Sequence, residues 1–150
     1  MSRFKFRAWD KTHRDMYEKV EGVAFYRYDI KDESKKEKFC GVTVTLRNGC
    51  PQFIPEEDLI LMQSTGLHDK NGKEIFEGDI VHEDGIGNAE IVFMDKAWLD
   101  REYSEPDIIP AFLMKWHDES SSCSFIKKGT QVEIIGNIHE NPELLTEAKE

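Results

Sequence analysis

The sequence predicts an all-β protein built from short strands. Strand-like segments recur about every 8–12 residues with turn residues between them, a spacing typical of β-barrels and sandwiches. Asn-Gly, Asp-Gly and Gly-Asp pairs stand between several of these segments, and they are residues that turns require. The sequence shows no alternation of strands with long helices, the pattern that would indicate βαβ units. These observations favour a barrel or a sandwich.

The first strands come from the N-terminal third. Arg3–Trp9 alternates strictly, so the side chains of Phe4, Phe6 and Ala8 are expected to face the core. A polar turn and a second extended stretch then predict a hairpin over residues 3–20. Three further signals follow in this lobe: strands at Gly22–Ile30 and Gly41–Leu46, and a type I′ turn at Asn48-Gly49.

A boundary between two lobes is predicted in the middle of the chain. Pro51 and Pro55 interrupt strand pairing, and the segment Pro55–Leu59 has the proline and the acids typical of a first helical turn. We therefore expect a lobe of β-hairpins over residues 1–58, which mediates self-association. The remainder, residues 59–150, is expected to form a β-barrel with a short terminal helix.

The second lobe opens with the most informative segment, TGLHDKNGKEIFEGDIV at Thr65–Val81. Its glycines are expected to adopt positive φ or to allow a close backbone approach. Its aspartates are expected to accept hydrogen bonds from turn amides, and a ligand site at this turn is the alternative. The residues with this expected turn role are Gly66, Asp69, Gly72, Gly78 and Asp79.

The rest of the second lobe continues the pattern of short strands. Pro110 predicts an edge or a bulge within its strand, and Asn141-Pro142-Glu143 predicts the start of a short terminal helix. Residues 97–107 and Ser120–Ser124 are polar and are expected to form loops. The strands are expected at Ile80–His82, Ala89–Met94, Ile108–Trp116 and Gln131–His139.

Charge is distributed unevenly. Residues 1–55 contain twelve Lys and Arg against eight Asp and Glu, a net charge of +4, whereas residues 56–150 contain eight against twenty-two, a net charge of −14. Nucleic-acid binding depends on neutralising phosphates with cations, so the acidic part is not expected to bind DNA. The basic part is expected to contact either nucleic acid or the acidic part of another copy.

We expect no enzymatic activity, no cofactor and no bound metal. The five histidines lack zinc-site spacing, adjacent acids on a strand face opposite ways, and no nucleophile elbow or phosphate-binding loop occurs. Cys40 and Cys50 flank a strand, so a bridge or a shared metal there is the alternative to reduced thiols. No apolar run reaches about 18 residues, which together with the absent signal peptide predicts a cytoplasmic protein.

One surface is singled out as an interaction face: Arg3, Lys5, Arg7 and Trp9. As a platform for nucleic acid, these residues would combine phosphate contacts with base stacking. As a contact between copies, they would meet the acidic part of a neighbour with Trp9 as the anchor. The uneven charge favours the second interpretation.

Three segments together resemble the YopX family of bacteriophage and prophage proteins: FKFRAWD at Phe4–Asp10, the segment Thr65–Val81, and IGNIHENPELL at Ile135–Leu145. The resemblance implies an all-β protein with an SH3-like barrel in its C-terminal part, a setting in phages or prophages of bacteria, and homo-oligomeric assembly. It supplies no catalytic residue.

The leading hypothesis is therefore a phage or prophage accessory protein, a non-enzymatic binding or scaffold module that associates with itself in the bacterial cytoplasm. Two alternatives remain. One is nucleic-acid binding through the basic first strand. The other is an acidic decoy of a host nucleic-acid-binding protein. Besides a second copy of the chain, the expected partners include a host or phage protein.

Overall fold

A computed structural model describes residues 5–28, 39–46, 51–99, 107–117, 122–126, 129 and 131–146. The protein is all-β, with antiparallel sheets of which one curls into a half-barrel. Two compact units make up the chain, Met1–Gln63 and Ser64–Glu150. No helix in the described ranges is long and apolar enough to cross a membrane.

The first unit contains strands in the order β4-β3-β2-β1-β5, all antiparallel. A 3₁₀ turn at Glu56–Asp58 leads into β5, where the sequence predicted one helical turn. Ile54 is the buried residue of a small cluster with Tyr17, Val20 and Leu59. The strands are β1 (Phe6–Asp10), β2 (Asp15–Tyr28), β3 (Phe39–Leu46), β4 (Pro51–Pro55) and β5 (Leu59–His68).

The boundary between the units follows Gln63, not Asp58 as the sequence predicted. Residues Leu59–Gln63 of β5 pair with β1 and therefore belong to the first unit. From Ser64 onward the same strand pairs with β6 in the second unit. A proline-containing turn marks an interruption in the chain, but long-range pairing decides which unit the next strand joins.

The second unit is a five-stranded sheet in the order β10-β9-β8-β7-β11, together with the β5–β6 pair. Its strands are β6 (Glu74–Phe76), β7 (Asp79–Glu83), β8 (Gly87–Leu99), β9 (Asp107–Trp116), β10 (Cys123–Phe125) and β11 (Val132–Asn137). The core of this unit comprises Ile75, Val81, Ala89, Ile91, Met114, Trp116 and Val132.

The bulge predicted at Pro110 is present in the β8–β9 ladder. Met94 pairs with Ala111 and Ala97 with Ile109, so β8 holds two residues opposite the single Pro110. The strands are longer than the sequence predicted here, since β8 continues to Leu99. The expected loop at 97–107 is therefore wrong for its first three residues and for Asp107, where β9 begins.

The other differences from the sequence predictions are local. Cys123 and Ser124, expected in a loop, begin β10 because they pair with Lys115 and Met114. The terminal helix is a single 3₁₀ turn at Pro142–Leu145. Several predictions lie outside the described residues: those for Arg3, Phe4, Ile30, the type I′ turn at Asn48-Gly49, Cys50, Ser120 and Ser121.

Candidate functional site

The basic face predicted on the first strand is not formed as expected. Arg7 and Trp9 are 3% and 6% exposed, and Nη2 of Arg7 lies 3.8 Å from the sulfur of Met62 on β5. β1 is an interior strand with burial at both odd and even positions. The prediction that Arg7 and Trp9 are exposed is therefore wrong, whereas Lys5 is exposed and Arg3 lies outside the described residues.

A cluster of polar side chains at the end of β1 shares one carboxylate. Asp10 is 2% exposed, and its Oδ1 accepts hydrogen bonds from the main-chain N–H groups of Thr12 (2.9 Å) and His13 (3.0 Å). The His13 ring donates from Nδ1 to Oδ2 over 2.8 Å, and the Tyr17 hydroxyl donates to Oδ2 over 3.4 Å. The His13 side chain is 71% exposed, so the cluster joins a buried carboxylate to a surface imidazole.

These contacts set the ionisation of the cluster. Burial raises the pKa of Asp10, but the hydrogen bonds and the charge of His13 together outweigh burial. The pKa of Asp10 is therefore lowered below its ordinary 3.8. The hydrogen bond and the charge of Asp10 raise the pKa of His13 above its ordinary 6.5. Burial, followed by the charge of Asp10, raises the pKa of the Tyr17 hydroxyl. The pair is therefore ionised in mildly acidic solution.

The segment Thr65–Val81 begins with an irregularity in β5. Gly66 has φ 74°, and the register between β5 and β6 shifts between Ser64 and His68. Two hydroxyls satisfy main-chain groups there: Ser64 Oγ accepts from Gly66 N–H (3.1 Å), and Thr65 Oγ1 accepts from Leu67 N–H (3.1 Å) while donating to the carbonyl of Ile75 (2.8 Å). The Ser-Thr-Gly sequence thus builds a bulge.

Asp69 organises the turn that follows. It is 7% exposed, and its Oδ1 accepts from the main-chain N–H groups of Asn71 (2.9 Å) and Lys73 (2.8 Å). Gly72, with φ 82°, donates its N–H to the carbonyl of Asp69 over 3.0 Å. Burial raises the pKa of Asp69, but the amides of Lys73, Ile134 and Asn71 lower it below 3.8.

The same turn covers the outer edge of β11. Ile134 N–H donates to Oδ2 of Asp69 over 3.2 Å, and the N–H of Lys70 donates to the carbonyl of Val132 over 2.9 Å. The Lys70 ammonium also lies 2.6 Å from a carboxylate oxygen of Glu133. An edge strand presents unpaired main-chain groups that invite pairing with other chains, and Asp69 and Lys70 occupy two of them here.

Gly78 and Asp79 form a second corner. Gly78 has φ 79°; its N–H donates to the carbonyl of Ile91 (2.7 Å), and its carbonyl accepts from Ile138 N–H (2.9 Å). Asp79 is 1% exposed, and its Oδ2 accepts from Phe76 N–H over 2.9 Å. The structure thus places all five turn residues of the segment in main-chain contacts that shape the backbone.

The end of β11 uses the same chemistry. Oδ1 of the buried Asn137 accepts from the N–H groups of His139 and Glu140, each over 3.0 Å. Gly136 lies so close to the terminal 3₁₀ turn that a Cβ atom there would be 2.7 Å from Oδ1 of Asn141 and 2.9 Å from Cδ1 of Leu144. The segment Ile135–Leu145 therefore comprises the end of β11 and a 3₁₀ turn packed closely against it.

A side-chain relay fixes this terminal turn to β7 and β8. Asn88 donates from Nδ2 to the carbonyl of Leu144 over 2.7 Å, so its Oδ1 accepts from Nδ1 of His82, also over 2.7 Å. Nε2 of His117, directly after β9, contacts Oε2 of Glu90 on β8 over 3.0 Å. These histidines make pairwise contacts, and the described residues contain no group of three or more His, Cys, Asp or Glu placed to hold a metal ion.

Sequence reasoning missed Asp10 with His13, and Asn88 with Leu144. The first pair had a local signal, because an Asp at a strand end followed by polar residues, here Asp10-Lys11-Thr12-His13, is typical of a turn capped by the Asp side chain. The second pair had none, since its members are 56 residues apart in sequence.

These features define a small all-β protein whose recurring Gly, Asp and Asn residues shape turns and protect a sheet edge. The chain belongs to the YopX family: the family model described as YopX protein matches residues 5–146. It is similar to protein EF1440 from Enterococcus faecalis, known from a crystal structure, with 30% identity over 95% of this chain and 97% of that chain and a TM-score of 0.50. No curated protein matches the chain.

Proposed function

We propose that this protein is a non-enzymatic phage or prophage accessory module that associates with copies of itself in the bacterial cytoplasm. The observation that carries this proposal is an apolar strip in the second unit. The strip runs along one face of β8 and β9 and ends in Phe93, which is exposed. It supports a protein contact more directly than any polar cluster of the described residues supports catalysis.

The strip consists of cross-strand pairs. Ala89 pairs with Trp116 and Ile91 with Met114, and all four are buried. The next pair on this face, Phe93 with Phe112, has ring centroids 5.1 Å apart at 57°, yet Phe93 is 42% exposed. An exposed aromatic at the end of a buried row offers apolar area to a partner without rearrangement of the core.

The net charges of the two units favour contact between the second unit of one copy and the first unit of another. Counted over the observed boundary, residues 1–63 have twelve cations and eleven anions, a net +1, and residues 64–150 have eight and nineteen, a net −11. Like-charged surfaces repel, so the second unit would meet the first unit of a neighbour. Phe53, 43% exposed on β4 of the first unit, provides apolar area there.

We expect Phe93→Ser to weaken self-association. Sedimentation equilibrium at about 100 μM, a concentration that saturates contacts of micromolar dissociation constant, should give the wild type a mass above the 17.5 kDa of one chain. Phe93→Ser should shift the mass toward the single chain, because truncating an aromatic anchor costs about 2 kcal/mol or more at an interface.

Ile86→Ser is the matched control, because Ile86 is 64% exposed in the turn before β8 and off the strip. It should associate like the wild type. A wild type that sediments as one chain would contradict the proposal. Equal weakening by both variants would show that the strip is not the contact surface.

An acidic decoy is the second candidate, and the net −11 of the second unit favours it. Its carboxylates would stand in for phosphates toward a basic nucleic-acid-binding protein of the host. We expect immobilised protein to retain such a host protein and double-stranded DNA to release it in competition. Retention that DNA does not reverse would contradict mimicry. Direct nucleic-acid binding loses its predicted platform because Arg7 and Trp9 are buried.

A further inference from the structure

The turn between β1 and β2 is fixed to a second segment of the first unit. Lys11 donates its main-chain N–H to the carbonyl of Asp58 over 2.8 Å. Its ammonium donates to the carbonyl of Glu57 over 2.6 Å. Both acceptors belong to the 3₁₀ turn Glu56–Asp58, which leads directly into β5. The β1–β2 turn, which follows Asp10 and carries His13, is therefore bonded to the segment that enters β5.

We propose that Asp10 and His13 form a pH-sensitive latch, closed while His13 is protonated, that holds the β1–β2 turn against the 3₁₀ turn Glu56–Asp58. The geometry has the two parts that such a device requires. Asp10 is a fixed, buried anion that holds Nδ1 of the ring at 2.8 Å. The ring itself is 71% exposed, so it exchanges protons with solvent.

The charges around His13 come from every element at this corner. Carboxylates predominate, and the imidazolium interacts favourably with those of Asp10, Asp15 and Asp58. Once His13 is neutral, these carboxylates lose a shared counter-charge and the attraction toward the 3₁₀ turn weakens. The titratable and charged groups concerned are Asp10 on β1, Lys11 and Arg14 in the turn, Asp15 and Tyr17 on β2, and Glu57 and Asp58 in the 3₁₀ turn.

The direction of the pH effect follows from the two pKa shifts. The pKa of His13 is raised in the folded protein, so its contribution is fully present below 6.5 and is lost as the pH rises through the raised value. The pKa of Asp10 is lowered, so its contribution is present above 3.8 and is lost as the pH falls through the lowered value. The latch is therefore tightest between these two ordinary values and opens toward alkaline pH.

His13→Gln tests the latch, because glutamine keeps a donor for Asp10 but does not titrate. The readout is the hydrogen-exchange protection of the Lys11 amide, corrected for the intrinsic pH dependence of exchange. In the wild type, protection should fall about twofold to fivefold as His13 loses its proton, the range expected for an exposed ion pair. In His13→Gln, it should stay constant over the same pH range.

His68→Gln is the matched control, since His68 is another exposed histidine, on β5. It should retain the wild-type pH profile. An NMR titration should place the His13 ring above 6.5, and Asp10→Asn should bring it back toward that value. The latch is excluded if His13→Gln loses protection in parallel with the wild type, or if His13 titrates at or below 6.5.

Discussion

Asp69→Ala should lower the free energy of unfolding by about 3–5 kcal/mol, because it leaves three main-chain donors without their acceptor. Two of these, Asn71 and Lys73, belong to the turn itself, and the third, Ile134, belongs to β11. The substitution thus opens a turn and frees a sheet edge together. Urea unfolding followed by tryptophan fluorescence measures the loss.

Asp69→Asn is the informative control. Its amide oxygen can still accept from Asn71 and Lys73, but its amide nitrogen faces the donor of Ile134. We therefore expect its free energy of unfolding to lie between those of the wild type and Asp69→Ala. The lowered pKa of Asp69 stabilises the fold above pH 3.8, and this stabilisation is lost as the pH falls through the folded value. Asp69→Asn should remove that acid sensitivity. Equal stability of Asp69→Ala and wild type would contradict this account of the turn.

The second large effect is expected at Gly136. Gly136→Ala should cost about 1–3 kcal/mol, the range for forcing a methyl group into a filled site, because its Cβ would lie 2.7 Å from Oδ1 of Asn141. Oδ1 of Asn141 and Cδ1 of Leu144 can rotate aside, but Cβ of Asn141 would also lie 3.0 Å away. That atom moves only with the backbone of Asn141, whose N–H is bonded to the carbonyl of Asn137 over 2.8 Å. Denaturant unfolding gives the cost, and hydrogen exchange of the Thr146 amide reports release of the terminal turn.

Gly85→Ala separates crowding from backbone strain. Gly85 has φ +80° and open space around it, so alanine there should cost about 1–2 kcal/mol from the left-handed conformation alone. It should leave exchange at Thr146 unchanged. If Gly136→Ala also leaves that exchange unchanged, the close approach does not hold the terminal turn.

Local chemistry was readable from the sequence where neighbouring residues satisfy each other. The turn at Asp69–Gly72 and the 3₁₀ turn at Glu56–Asp58 each depend on residues within a few positions of one another. Gly, Asp and Pro restrict or cap the backbone directly, so their positions predict turns and interruptions without knowledge of the fold. The family resemblance depended on the same residues.

Burial was not readable in the same way. The alternation of Arg3–Trp9 predicted one solvent-facing side, but β1 lies between β2 and β5 and buries Arg7 as well as Trp9. Alternation indicates which residues share a face; it does not say whether a second layer or a neighbouring segment covers the other face. The interaction surface proposed above accordingly moved from β1 to the strip that ends at Phe93.

By itself, the sequence determined the all-β class, the places where the backbone turns, and the residues that cap those turns, because each is set by φ preferences and short-range hydrogen bonds. Only the tertiary structure decided that β5 serves both units, that Asp69 reaches β11, and that Asn88 holds the carbonyl of Leu144. Those contacts join residues as many as 65 positions apart. Their formation depends on the order in which the strands pair, which φ preferences and short-range hydrogen bonds do not specify.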